Sequence, residues 1–144
     1  MDLDRFVVAQ QEVYPAALAE LRAGRKRTHW MWFMFPQLAG LGQSSVARFY
    51  AIQDLDEAGA YLHHPVLGPR LVEVATALLT QPNRDASQIF GDPDNLKLRS
   101  SLTLFALVPA APPVFRAALD AFFDGPDAAT LGLLNLPGTG VAER

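Results

Sequence analysis

A chain of 144 residues with 50% hydrophobic and 19% charged residues fits one globular domain and is too apolar to be disordered. Its net charge of −3 speaks against general nucleic-acid binding, and the absence of cysteine removes disulfides, thiolate metal sites and cysteine nucleophiles. The acidic start Met1-Asp2-Leu3-Asp4-Arg5 is unlike a signal peptide, and no run approaches the roughly 20 apolar residues of a membrane span, so a cytoplasmic protein with no membrane partner is expected.

Asp4 to Ala23 places Phe6, Val7, Val13, Tyr14, Leu18 and Leu21 at helical spacing. Pro15 predicts either a kink or two short helices meeting at Tyr14. Gly24 stands where a left-handed C-cap belongs. His29 to Gln37 has no clean period and reads as one buried helical turn or an irregular segment threaded through the core. A loop follows, then a short helix capped by Ser44 or Ser45. Asp54 and Glu57 have capping-box spacing and start a helix that His63-His64-Pro65 breaks. Val66 to Leu79 carries an apolar face, and Ser87 to Phe90 makes one turn closed by Gly91. Asp92-Pro93 predicts a helix start, with Asp92 as N-cap and Pro93 in the first turn. Helices then follow at Val114–Phe123 and after Asp127. About seven short helices without a convincing strand define an all-α domain over 1–136, followed by a loose tail over 137–144.

Two segments carry the chemistry. Arg22, Arg25, Lys26 and Arg27 put four of the twelve basic residues within six positions, ahead of His29, Trp30 and Trp32. Guanidinium groups fork onto phosphate or carboxylate oxygens and indole rings stack on flat ligands, whereas the plainer reading is a solvated helix end followed by core tryptophans. Lys97, Arg99, Ser100 and Ser101 follow a predicted helix N-terminus, which favours anions; a well-capped helix with a polar outer face is again the plainer reading. Lys97 and Ser101 share one face there, with Arg99 and Ser100 off that line. The three histidines, His29, His63 and His64, lack metal-ligand spacing, so neither a metal nor a cofactor is expected. Spacing selects no pair of carboxylates, and Asp92 and Asp94 are the nearest to the second segment.

The strings His29-Trp30-Met31-Trp32-Phe33-Met34-Phe35-Pro36-Gln37, Tyr61-Leu62 with His64-Pro65-Val66-Leu67-Gly68-Pro69-Arg70-Leu71, and Ile89-Phe90-Gly91 through Lys97-Leu98-Arg99-Ser100-Ser101-Leu102-Thr103-Leu104-Phe105 resemble the bacterial domain-of-unknown-function family 1810. The resemblance runs from about Leu3 to Leu134 and implies a compact, mainly helical fold without an established activity. The overall build is also distantly similar to the NADAR families associated with ADP-ribose and N-glycosidic bonds, although their acidic motif matches no position here. The resulting expectation is a pocket for an anionic small molecule, a nucleotide or ADP-ribose derivative. Arg27, His29, Trp30, Trp32, Gln37, Lys97, Arg99 and Ser100 would line it, and Asp92 or Asp94 would assist if an N-glycosidic bond is hydrolysed. The alternative is a non-catalytic module whose basic run meets an acidic protein partner.

Overall fold

The computed structural model describes residues 2–136, so the tail read over 137–144 lies outside the described residues. Among the described residues the chain forms nine helices and no strand. They are α1 Asp4–Arg22, α2 Met31–Met34, α3 Ser45–Phe49, α4 Leu55–His63, α5 Leu67–Leu79, α6 Ala86–Phe90, α7 Asp94–Ala106, α8 Val114–Phe122 and α9 Ala128–Leu133. The all-α reading holds. The count exceeds seven because short turns such as α2, α6 and α9 stand as separate helices; the turn ending at Phe90 and the helix after Asp127 are as expected, and α2 is one of the two alternatives left open for 29–37.

Pro15 does not divide the segment into two helices, since α1 runs through it for 19 residues. Pro15 is exposed, so the Gln11 carbonyl that lacks a donor there can turn to water. Beyond the helix, Gly24 takes φ +79°, and the N–H groups of Gly24 and Arg25 donate back to the carbonyls of Leu21 and Glu20. That is a Schellman ending, and it turns the chain sharply into the segment that carries the aromatic string.

Side-chain caps then punctuate the chain. Ser44 accepts from the Ala47 N–H, Asp54 from Glu57, Asp85 from Ser87 and Gln88, and Asp127 from Thr130. Glu57 returns to the N–H of Gln53, one residue before the expected capping-box partner. His64 ends α4, and its Nδ1 accepts from the N–H groups of Val66 and Leu67 at the start of α5. That elbow is tight: a Cβ on Gly68 would lie 2.0 Å from the Leu62 carbonyl oxygen.

At α7 the expectation fails in detail. Pro93 occupies the N-cap position, the helix begins at Asp94, and Asp92 is exposed and caps nothing. The Gly91 carbonyl already accepts the Asn95 N–H, and Pro93 accepts from Leu96 and Lys97, so the first turn has no need of the Asp92 carboxylate.

The core is formed where α5, α7 and α8 pack together, with α1 and α4 against α5. Leu67, Leu71, Val74 and Leu78 from α5 bury their side chains, as do Leu98, Leu102 and Phe105 from α7 and Phe115 and Leu119 from α8. The segment from Gly24 to Gln53 adds Trp30, Met34, Phe35 and Ile52 to this core but contains no long helix. Its only β pairing among the described residues is a single parallel bridge between Leu38 and Ile52. Its polar backbone groups therefore need other partners, and α1 supplies them.

Candidate functional site

Three residues of α1 hold the irregular segment. Arg5 donates to the carbonyls of Phe49 and Ala51. Gln10 is fully buried and donates through Nε2 to the Phe33 carbonyl at 2.7 Å. Glu20 gathers four donors: the N–H groups of Arg27 and Thr28, the Thr28 hydroxyl and the Trp30 indole N–H. Partial burial opposes ionisation of Glu20, but these hydrogen bonds outweigh it and hold its carboxyl down at about 2. The turn α2, between the Glu20 and Gln10 clamps, is therefore fixed from both ends.

Fixing that turn separates its two tryptophans. Trp30 is 1% exposed and packs with Phe35 and Phe90, so it belongs to the core rather than to a pocket. Trp32 is half-buried and borders three adjoining cavities of about 290, 250 and 330 Å³. Lys97 of α7 lies over its face, with Nζ 3.9 Å from the ring centroid, a cation–π contact.

The charge beside Trp32 is arranged around Asp94. Its carboxylate meets Lys26 Nζ at 2.9 Å and Lys97 Nζ at 3.1 Å. Burial would raise the Asp94 pKa, but the hydrogen bonds and charges of the two lysines prevail and lower it. Lys26 also donates to the Thr28 carbonyl, and its side chain is only 7% exposed. Two ammonium groups against one carboxylate leave one positive charge in excess at a half-buried aromatic surface, on a chain whose net charge is −3.

Five of the eight expected binding residues gather here. Trp32, Gln37, Lys97 and Ser100 line one cavity, and His29 lines the neighbouring one with Lys26, Asp94 and Lys97. Gln37 donates to the Ser100 hydroxyl at 2.6 Å, and that hydroxyl donates to the Lys97 carbonyl. Trp30 reaches the edge of the second cavity only as its core wall.

Arg27 is exposed, and its backbone rather than its side chain is held, by Glu20. Arg99 points elsewhere: it donates to the Gly125 carbonyl, pairs with Asp124 at 3.1 Å and lies over Phe123. The helical step that brings Lys97 to Trp32 carries Arg99 about 200° around α7. Ser101, expected on the face of Lys97, is buried with its hydroxyl unpartnered, and Ser100 takes the cleft position instead. Asp92 lines none of the three cavities around Trp32.

Lys26 is the residue that sequence reasoning passed over. It sits inside the basic run, and only the Gly24 turn, not its neighbours in sequence, directs it inward onto Asp94. The basic run itself is dispersed: Arg22 pairs with Glu73, Lys26 goes inward, and Arg25 and Arg27 are exposed. No three His, Cys, Asp or Glu residues cluster as a metal ion would need among the described residues, and no helix there is long and apolar enough to cross a membrane.

The fold and this cleft define a small all-α domain with a lysine–tryptophan pocket where its irregular segment meets α7. The chain belongs to the protein family of unknown function DUF1810, whose model matches residues 1–134. It is similar to the crystal structure of the conserved hypothetical protein Rv1873 from Mycobacterium tuberculosis. The identity is 51%, the match covers 94% of this chain and 98% of that one, and the TM-score is 0.89. No curated protein matches the chain. The distant similarity to the NADAR families draws no support from these matches.

Proposed function

We propose that the chain binds an anionic small molecule, of the nucleotide or organic-phosphate class, in the cleft around Trp32. The observation that carries this reading is the Lys97 ammonium lying 3.9 Å over a half-buried indole, beside the Lys26–Asp94 pair. An ammonium has three donors, and Lys97 spends one on Asp94, which leaves donors for phosphate or carboxylate oxygens. His29 opens onto the same cavity. A cytoplasmic setting, where organic phosphates abound, fits this ligand class.

The geometry favours binding over hydrolysis of an N-glycosidic bond. The carboxylates at the cleft are Asp94 and Asp127, and both are engaged: Asp94 is held ionised between two lysines, and Asp127 caps α9. Neither is free to deliver a proton to a leaving group. The alternative of a basic docking face for an acidic protein loses its footing with the dispersal of the Arg22–Arg27 run.

Calorimetric titration with pyrophosphate and with nucleoside monophosphates tests the reading. Binding should weaken with added salt, and Lys97→Met should weaken it about tenfold or more, as expected for one charge-assisted hydrogen bond. Absence of heat with every phosphate compound at low salt overturns the proposal.

A further inference from the structure

Adjoining the lysine cavities at Trp32 lies a cavity of about 290 Å³, lined by the 37–43 loop and the 47–53 segment and by no lysine. Trp32 and Tyr50 contribute aromatic rings, Gln37, Gln43 and Gln53 contribute primary amides, and Arg48 contributes the one cation. No carboxylate lines it. Gln43 and Gln53 are exposed, and their side chains form no hydrogen bond to any described residue. Gln37 commits its amino group to Ser100, which leaves its carbonyl oxygen as an acceptor. The loop that forms one wall turns at Gly40, with φ +102°, and the N–H groups of Gly40 through Gln43 donate to no described residue.

This inventory differs from that of the lysine side in a way that specifies a ligand. Primary amides present a donor and an acceptor side by side in one plane, which matches the edge of a nucleobase. Indole and phenol rings offer faces on which a flat heterocycle stacks. Trp32, Gln37 and Gly42 belong to this cavity and also to the adjoining one that holds Lys97 and Ser100. A single molecule can therefore place a flat, hydrogen-bonding ring in one cavity and an anionic group in the adjoining one. We infer that the amide-lined cavity is a nucleobase compartment, so that the ligand is a nucleoside phosphate rather than a sugar phosphate or an inorganic anion. This inference rests on the anion-binding reading above for its second half only.

Tryptophan fluorescence provides the readout, since Trp30 is in the core and Trp32 borders the cavity. The full chain is titrated with a panel of uncharged nucleosides, the matching 5′-monophosphates, ribose 5-phosphate and pyrophosphate. At least one nucleotide should bind about tenfold or more tightly than ribose 5-phosphate, the worth of one stacked base. The double variant Gln43→Ala/Gln53→Ala, both positions being exposed, should erase that advantage while leaving pyrophosphate binding unchanged. Trp32→Phe should remove the quench. Nucleotides binding no more tightly than ribose 5-phosphate, or an advantage untouched by the double variant, overturns the base compartment while the anion site stands. Nucleosides that bind where pyrophosphate does not would support the compartment and overturn the anion site. Silence across the panel overturns both.

Discussion

The long helices and the segment from Gly24 to Gln53 share one apolar core, into which the segment sends Trp30, Met34, Phe35 and Ile52, but they satisfy their backbones in different ways. Where α5, α7 and α8 meet, large apolar side chains fill the core, with Ser100, Ser101 and Thr103 of α7 buried among them, and burial on the order of 1.5–3 kcal/mol for each large apolar side chain supplies the cohesion. The 24–53 segment has only short turns and one β-bridge to pair its backbone, so Arg5, Gln10 and Glu20 of α1 take over that task. A region whose backbone is pinned by a few polar clamps rather than by helical pairing keeps loops, amides and a half-buried indole at its surface. That is where the cleft lies.

The largest effect should come from the helical region. Phe105 is 1% exposed and touches the rings of Tyr61 and Phe115. Phe105→Ala should cost about 3–5 kcal/mol in a urea unfolding curve, because the cavity it leaves is walled by rigid helices. A loss below about 1 kcal/mol would mean that this core is far softer than its packing indicates.

The clamps should matter less, and in a pH-dependent way. Glu20→Ala strands the indole N–H of Trp30 and two backbone donors, a cost of about 1–3 kcal/mol for the buried member. The folded pKa of Glu20, about 2, lies below its ordinary value of 4.5. Its contribution is therefore complete above 4.5 and is lost as pH falls from there toward 2. Glu20→Gln should flatten the acid limb of the stability profile in that window and leave the profile near neutrality nearly parallel to that of the parent. An unchanged acid limb would show that the clasp does not depend on the charge of Glu20.

The same contrast explains what was legible in the sequence. The long helices announced themselves through apolar spacing, as in Leu67, Leu71, Val74 and Leu78, and the caps at Ser44, Asp54 and Asp127 were readable because capping is local chemistry. The alternative of two helices meeting at Tyr14 fails because a proline on the solvent face of a long helix costs less than one in its packed interior. Within the cleft, Trp32, Gln37, Lys97 and Ser100 were legible as polar and aromatic residues set among apolar ones. Lys26 and the amides of Gln43 and Gln53 were not, because what gathers them is the Gly24 turn and the Leu38–Ile52 crossing, contacts that no sequence period encodes. Arg99 was overread for the complementary reason: nearness along the chain to Lys97 says nothing about direction when two helical positions differ by about 200°.

The smallest effect isolates the two tryptophans from each other. Trp30→Phe removes part of a side chain that is 1% exposed, together with its hydrogen bond to Glu20, so it should destabilise the fold by about 1–3 kcal/mol. Trp32→Phe keeps an aromatic face for Lys97 and leaves the core untouched, so its cost should stay within about 0.5–1 kcal/mol. Thermal unfolding of the two variants side by side checks this order. If Trp32→Phe proves the more damaging, the indole is a structural pillar between the 40–47 loop and α7, and the three cavities around it are packing defects rather than parts of one binding cleft. If the order holds, Trp32 is set there at little benefit to stability, which is what a ligand-facing residue requires.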